Sequence, residues 1–215
     1  MIRLHGYFRS SSSYRCRIAF NLKGVATEFR PVHLVRDGGE QKSERYRALN
    51  PQMLVPTVEA EGQVLTQSPA ILEWIDETWP EPRLLPQDRN MRAAVRAFAA
   101  VIGCDIHPLQ NLRVLQYLRS EYGQDEEGIR RWCQRWLGEG LSACEALLTR
   151  RDRQTPFCFG EAPGMADIYL VPQVFSANRF GVDLGAMPLI RAIHARCEAL
   201  PAFEDAHPSR QPDAD

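Results

Sequence analysis

A proline-rich segment at residues 79–88 separates two stretches of this 215-residue chain whose apolar residues follow different periods. Before it, runs with the two-residue alternation of strands are interleaved with runs of helical spacing. After it, only helical spacing recurs. Since Pro80, Pro82 and Pro86 interrupt regular structure, we predict two domains, an α/β domain at residues 1–80 and an all-helical domain at residues 88–215.

The apolar pattern of the first domain predicts the order β-α-β-α-β-β-α. About twenty residues link the first two strands, which is enough for a right-handed crossover. The predicted elements are a strand at residues 2–8, a helix at 13–22, a strand at 27–34, a helix at 44–49, a hairpin at 55–58 and 64–66, and a helix that Ser68 caps. In the second domain we expect helices near residues 91–102, 129–148, 166–175 and 188–200, then a loosely ordered tail after His207.

The charge balance and the cysteines argue against several classes of protein. Lys and Arg number 26 against 27 Asp and Glu, so we expect no general attraction to nucleic acid or to an acidic membrane. The six cysteines form no CxxC pair and no zinc-type spacing, which favours a reducing compartment and no metal site. No run reaches the roughly 18 apolar residues of a membrane span, and no basic leader precedes an apolar run. We therefore expect a cytoplasmic protein.

The first candidate site is the segment RSSSSYR, residues 9–15, between the first strand and the first helix. A helix start presents unpaired N–H groups and a partial positive charge, which lower the pKa of a thiol placed there. Serine hydroxyls add hydrogen-bond donors. The same serines can also serve only as helix caps, and the residues alone leave both interpretations open.

Two further turns suit other parts of one ligand. Val55-Pro56 precedes the hairpin and offers main-chain groups for strand-like pairing with a peptide, although most such dipeptides are ordinary turns. Gln67-Ser68 opens a helix and can hold a carboxylate or act only as a cap. A βαβ unit followed by a ββα unit brings all three turns to one edge of the sheet. A thiol, a peptide and a carboxylate side by side indicate glutathione.

Longer stretches resemble the zeta class of glutathione transferases, the group that includes maleylacetoacetate isomerase. The SSxSxRxR signature is specific to that class, whereas the QS-A-I element and the MAD helix start occur across the wider superfamily. The resemblance implies the glutathione transferase fold, a thioredoxin-like α/β domain followed by an all-α domain, and a homodimer. The matching stretches are YFRSSSSYRCRIAFNLKG, ALNPQMLVPTVE, LTQSPAILEWIDE, RLLPQD, CDIHPLQNLRVLQYL, MADIYLVPQV, NRFGVDL and HPSRQPD.

The resemblance also assigns roles to residues. Ser10 and Ser11 would stabilise the glutathione thiolate, with Arg9 beside them as a third catalytic residue. Arg9, Arg113 and Arg179 would hold the carboxylates of a maleyl diacid, since a guanidinium group can make bidentate hydrogen bonds to a carboxylate. Each of these arginines, taken alone, can also be an ordinary solvated side chain. Asp167 is assigned to folding, with Gly164 as the cap of its helix. The implied glutathione contacts are Ser10, Ser11, Ser12, Ser13, Arg15, Gln41, Val55, Gln67, Ser68, His107 and Asn111.

The expected activity is the glutathione-dependent cis-trans isomerisation of maleylacetoacetate to fumarylacetoacetate, in tyrosine and phenylalanine catabolism. Maleylpyruvate isomerase is an alternative, because the CDIHP segment at residues 104–108 resembles bacterial enzymes of that kind. The sequence also allows a conjugating glutathione transferase, a non-catalytic module with the same fold or a thioredoxin-like oxidoreductase. The missing CxxC motif argues against the last of these. His107 is either structural or a proton carrier.

Overall fold

The computed structural model describes residues 1–214 as two compact units. One unit combines Met1–Leu84 with the C-terminal segment that starts at Ala199, and the other is Leu85–Glu198. The division between Leu84 and Leu85 falls inside the proline-rich segment. The C-terminal segment packs with the α/β unit, whereas the sequence analysis placed it in the helical domain. Asp215, the last residue of that predicted domain, lies outside the described residues.

The first unit is built on a four-stranded mixed sheet with the order β2-β1-β3-β4. β1 runs parallel to β2, with Leu4 opposite Phe29, and antiparallel to β3, with Leu4 opposite Val58. The βαβ and ββα units predicted from the sequence are confirmed. The strands are β1 (Arg3–Gly6), β2 (Glu28–Pro31), β3 (Thr57–Ala60) and β4 (Gln63–Thr66), and the helices of this part are α1 (Ser11–Leu22), α2 (Glu44–Leu49) and α3 (Ser68–Thr78).

Helix α1 is buried along most of its length. Every residue from Ser11 to Phe20 is shielded from solvent, including the charged Arg15 and Arg17. The helix packs against α3 and against the short helix α9, Pro201–Glu204, of the C-terminal segment. Its start, which carries the serines, is therefore held by neighbours on several sides.

The C-terminal segment is anchored to α1. Phe203 is 1% exposed and Ala206 is 1% exposed, so both are part of the core of the first unit. Asn21 at the end of α1 donates from its side chain to the carbonyl of Ala202 at 2.9 Å. The tail after His207 is also ordered, contrary to the prediction, because it forms a 3-10 turn at Pro208–Arg210 and Oδ2 of Asp213 accepts from the N–H of Phe8 at 3.0 Å.

The second unit contains helices only. The sequence predicts four of them and misses α5, whose one buried residue is Leu115, so that its apolar period is weak. Helix α7 is buried on nearly all sides and lies at the centre, as predicted. The helices are α4 (Arg89–Ala100), α5 (Leu112–Tyr122), α6 (Glu126–Thr149), α7 (Met165–Arg179) and α8 (Pro188–Glu198), with a π-helical turn at Val101–Ile106 and a 3-10 turn at His107–Gln110.

Asp167 closes the start of α7 as the sequence analysis expects. Its Oδ2 accepts from the N–H of Gly164 at 2.9 Å, and its Oδ1 accepts from the N–H of Cys158 at 2.9 Å. Burial raises the pKa of this carboxyl, and the two main-chain N–H groups oppose that rise. Asp167 thus joins the helix start to the preceding loop.

Across residues 1–214, no helix is both long enough and apolar enough to cross a membrane. The same residues contain no group of three or more His, Cys, Asp or Glu side chains placed to hold a metal ion.

Candidate active site

The turn between β1 and α1 ends in a serine cap. Ser10 is the N-cap of α1, and its Oγ accepts a hydrogen bond from the N–H of Ser13 at 3.2 Å. The N–H of Ser10 donates to the carbonyl of Tyr7 at 3.0 Å, which closes the turn. Because the cap uses the Ser10 oxygen as an acceptor, the hydroxyl hydrogen remains available to a ligand.

The three serines that follow are buried. Ser13 is 0% exposed and accepts from the N–H of Tyr7 at 3.4 Å, so its side chain points back towards the sheet. Ser11 and Ser12 lie in the first turn of α1, where main-chain N–H groups lack helical partners and the positive end of the helix dipole lies. The helix start and the hydroxyl of Ser10 together form an environment that stabilises an anion such as a thiolate.

A buried arginine links this turn to the start of α3. Arg15 is 1% exposed, and its Nη1 donates to Oγ of Ser68 at 3.4 Å. Ser68 is itself only 4% exposed. The structure therefore brings together two of the three predicted turns and joins them through a guanidinium group.

The start of α3 differs from the prediction in one residue. Gln67, and not Ser68, occupies the cap, and Ser68 is the first residue of the helix. Gln67 has a φ of 68°, a conformation that costs a non-glycine residue about 1–3 kcal/mol. The prediction of Ser68 as the cap was wrong because the preference for serine at helix caps does not anticipate this conformation of Gln67. Nε2 of Gln67 donates to Oε1 of Gln52 at 2.5 Å. Gln52 was not predicted as a site residue, since a pairing across 15 residues leaves no local signal in the sequence.

The segment before β3 has an open main chain at Val55. Tyr46 Oη and Asn50 Nδ2 each donate to the carbonyl of Leu54 at 2.8 Å and so fix the residue before Val55. The Val55-Pro56 bond is cis. Within residues 1–214 no hydrogen bond uses the main-chain N–H or carbonyl of Val55, so both are available to an extended peptide ligand.

Gln41 lies on a loop that a histidine organises. The side chain of Gln41 is buried, its Nε2 donates to the carbonyl of Leu34 at 3.4 Å, and its Oε1 has no donor among the described residues. His33 Nδ1 accepts from the N–H of Arg36 at 2.8 Å and from the N–H of Val35 at 3.3 Å. Both donors are main-chain N–H groups, so Nδ1 of His33 acts as the acceptor that fixes the start of this loop.

The remaining predicted site residues lie in the second unit. Asn111 caps α5 by accepting from the N–H of Arg113 at 3.2 Å, and the side chain of Arg113 is exposed. His107 is half-buried at the 3-10 turn before α5. Arg179 is exposed at the end of α7, with its guanidinium carbon 5.2 Å from the centre of the Phe180 ring. Arg9, in the first unit, is exposed and lies 4.8 Å from the Phe8 ring in the same way.

Comparisons with known proteins identify the family. Residues 9–78 match a family model described as the glutathione S-transferase N-terminal domain. Maleylpyruvate isomerase of a Ralstonia species is 50% identical over 213 residues, covering 99% of this chain and 100% of the relative. Maleylacetoacetate isomerase of Pseudomonas aeruginosa is also 50% identical over 213 residues, covering 99% of this chain and 98% of the relative. The chain belongs to the zeta class of glutathione transferases.

Solved structures of zeta-class transferases and related isomerases carry the same fold. A holo maleylpyruvate isomerase, described as a bacterial zeta-class enzyme, superimposes with a TM-score of 0.97 at 50% identity and covers 99% of this chain and 100% of its own. Maleylacetoacetate isomerase of Anaeromyxobacter dehalogenans, with glutathione in its active site, is 42% identical with a TM-score of 0.88 and covers 100% of this chain and 98% of its own. A second structure of that enzyme holds dicarboxyethyl glutathione and citrate, with a TM-score of 0.87 at 42% identity, and covers 100% of this chain and 94% of its own. The predicted glutathione transferase fold is confirmed.

The cysteines of this zeta-class transferase are poorly placed for redox chemistry near the serine turn. Cys16 lies inside α1 and is fully buried, and burial raises the pKa of its thiol to about 12. A thiol with that pKa stays protonated at neutral pH and is a weak nucleophile. Any thiolate that reacts at this turn must therefore come from a ligand.

Proposed function

We propose that this chain is a glutathione-dependent cis-trans isomerase that converts maleylacetoacetate to fumarylacetoacetate in tyrosine and phenylalanine catabolism. The observation that carries the proposal is the end-to-end similarity to maleylacetoacetate and maleylpyruvate isomerases in a chain whose serine turn caps α1. Glutathione acts as a cofactor that is regenerated in each turnover.

The proposed reaction needs no net transfer of atoms. The glutathione thiolate adds to one carbon of the cis double bond, a C–S bond forms, and the π electrons move onto the conjugated carbonyl oxygen as an enolate. The former double bond is now single and rotates. The electrons then return, the C–S bond breaks, and the trans diacid and the thiolate leave.

In this proposal the serine turn stabilises the thiolate of bound glutathione. Ser10 donates its free hydroxyl hydrogen to the sulfur, and the first N–H groups of α1, near Ser11 and Ser12, stabilise the charge. Arg15, which joins the turn to Ser68, adds positive charge from within the unit. A hydrogen bond to a charged group contributes about 1.5–3 kcal/mol, which is a tenfold or greater shift in thiolate population.

The diacid is held by arginines. We assign its carboxylates to Arg9, Arg113 and Arg179. All three residues are exposed, so an incoming anion can reach them. Glutathione itself is assigned to the open main chain of Val55, to Gln41, Gln67 and Ser68, and to His107 and Asn111.

Maleylpyruvate is the second candidate substrate. The high structural similarity to the holo maleylpyruvate isomerase favours it, and so does the CDIHP segment at residues 104–108. It is also a cis-unsaturated keto diacid, so the same thiolate chemistry applies. The substrates differ at the keto-acid end, and relative rates distinguish them.

A cytoplasmic homodimer is part of the proposal. The six cysteines are free in the described structure, which fits a reducing compartment. Light scattering on the purified protein tests the dimer.

The test of function compares the two diacids with glutathione and with S-methylglutathione, followed by ultraviolet absorbance. Isomerisation of either diacid with glutathione alone supports the proposal, and the higher kcat/KM names the substrate. Equal rates with S-methylglutathione contradict it, because the methylated sulfur cannot add. If neither diacid turns over while glutathione is consumed by a simple electrophile, the chain is a conjugating transferase.

A further inference from the structure

Both main-chain groups of Phe8 in the β1–α1 turn are hydrogen-bonded to side chains, one in α1 and the other in the C-terminal segment. The N–H of Phe8 donates to Oδ2 of Asp213 at 3.0 Å, and its carbonyl accepts from Nη2 of Arg17 at 3.1 Å. Phe8 is separated from Asp213 by 205 positions. The residue directly before Arg9 and Ser10 is therefore fixed from two directions.

Arg17 is the centre of this arrangement. It is 5% exposed, its Nε donates to the carbonyl of Ala206 at 2.9 Å, and its Nη1 lies 3.5 Å from the carbonyl of Tyr7. One guanidinium thus binds the C-terminal segment and the serine turn at the same time. Its planar fork suits this role because several N–H groups can donate in fixed directions.

Asp213 supplies the matching negative charge. Burial lowers the pKa of Arg17 to about 10, and the charge of Asp213 partly opposes that change. Besides accepting from Phe8, Asp213 has an Oδ1 that is buried and without a hydrogen-bond donor among residues 1–214. A carboxylate with one buried oxygen left in this way is costly unless a nearby positive charge compensates it. The carboxylate of Asp213 is therefore held by the N–H of Phe8 and interacts favourably with the charge of Arg17.

We propose that Asp213 and Arg17 are positioning residues for the serine turn, and that the C-terminal segment acts as a latch on it. The C-terminal latch consists of Ala206 and Asp213, and it acts together with Arg17 of α1, which binds the carbonyl of Ala206. It fixes the Phe8 peptide groups and so sets the direction of Arg9 and of the Ser10 hydroxyl. The inference rests on the proposed function, since it assumes that this turn stabilises the glutathione thiolate.

A chain end suits this task for a physical reason. Besides the α1 cap, the serine turn is held locally by the bonds from the N–H of Ser10 to the carbonyl of Tyr7 and from the N–H of Tyr7 to Oγ of Ser13, and connecting turns are among the more mobile parts of a fold. Displacing a reacting group by about 1 Å can cost on the order of a hundredfold in rate. The latch removes that freedom without placing any of its own residues on the ligand.

The test uses the full chain with Asp213→Ala, Asp213→Asn and the control Asp205→Ala. Asp205 is an exposed carboxylate on the same segment, so its loss changes the local charge equally without touching the turn. Amide hydrogen exchange of the peptide that spans residues 7–13 reports the mobility of the turn directly. Isomerase kcat/KM and the pKa of the bound glutathione thiol report its effect on chemistry.

Asp213→Ala is expected to speed exchange in residues 7–13 and to lower kcat/KM by about tenfold or more. It is also expected to raise the pKa of the bound thiol by about one unit, a change that general loss of stability does not produce. Asp213→Asn keeps an oxygen that accepts from the Phe8 N–H, so it should retain most of the exchange protection. Asp205→Ala should match the wild type in all three measurements.

Two results overturn the proposal. In the first, Asp213→Ala matches Asp205→Ala in all three measurements. In the second, amide exchange of Asp213→Ala rises equally in all peptides of the first unit while the pKa of the bound thiol is unchanged, and Asp213 then has a purely structural role. If the wild type fails to isomerise any diacid, the proposed function fails, and the exchange of residues 7–13 still decides whether the latch holds the turn.

Discussion

Replacing Ser10 separates the two roles that the structure gives this residue. Its Oγ caps α1 by accepting from the N–H of Ser13, and its hydroxyl hydrogen is free to donate to a thiolate. Ser10→Ala removes both functions. Ser10→Gly removes the donor but keeps most of the capping, because glycine is a far better N-cap than alanine.

The expected sizes follow from these two roles. Loss of a hydrogen bond to a charged group costs about 1.5–3 kcal/mol, which raises the pKa of the bound glutathione thiol by roughly one to two. The thiolate population at neutral pH then falls about 10- to 100-fold, and kcat/KM should fall with it. Loss of the cap costs about 0.5–2 kcal/mol of stability for Ser10→Ala but only a few tenths for Ser10→Gly.

The assay measures kcat/KM against pH together with urea unfolding for wild type, Ser10→Ala, Ser10→Gly and Ser11→Ala. Both Ser10 variants should lose activity to the same extent although their stabilities differ. Ser11→Ala tests whether the neighbouring hydroxyl shares the task. Wild-type activity in Ser10→Gly, beside a strong loss in Ser10→Ala, would contradict a donor role for Ser10, since capping alone would then explain the effect.

Three other predictions concern stability and ligand affinity. Asp167→Ala should lower the free energy of unfolding by about 2–5 kcal/mol in urea, because two buried N–H groups lose their acceptor; a loss below about 1 kcal/mol contradicts this. His33→Leu should raise the KM for glutathione with little change in kcat, since the loop of Gln41 loses its Nδ1 acceptor, and an unchanged KM contradicts it. The hydrogen bond from His5, at 2.7 Å, lowers the pKa of Glu59 below its usual value. Glu59 therefore adds stability above its unfolded pKa that is lost as the pH falls through the folded pKa. In Glu59→Gln, the free energy of unfolding measured in urea should fall less steeply over this acid range.

The strands and helices of the first unit were predictable because their signals are local. Two-residue alternation around Leu4 and Val58 and helical spacing after Ser13 determine element type directly, and the order β-α-β-α-β-β-α restricts the sheet to few topologies. The segment RSSSSYR at residues 9–15 indicated a thiolate site in the same local way. Such features depend on neighbours in sequence.

Features that depend on distant residues were missed. Gln52 joins Gln67 across a turn, and the positive φ of Gln67 shifted the start of α3 by one residue. The C-terminal segment was assigned to the helical domain because it follows helices in sequence, whereas the guanidinium of Arg17 and the carboxylate of Asp213 tie it to the β1–α1 turn. Helix α5 escaped detection because it buries little beyond Leu115. Charge pairs and buried contacts between residues far apart in sequence produce no periodic pattern in the sequence.

If glutathione thiolate acts as a regenerated nucleophile, a small amount of glutathione must convert a large excess of diacid. Product isomer and total free thiol are measured over the same time course. We expect complete conversion of the cis diacid with total thiol unchanged. Conversion that stops once the product equals the glutathione added, with thiol lost mole for mole, would contradict it.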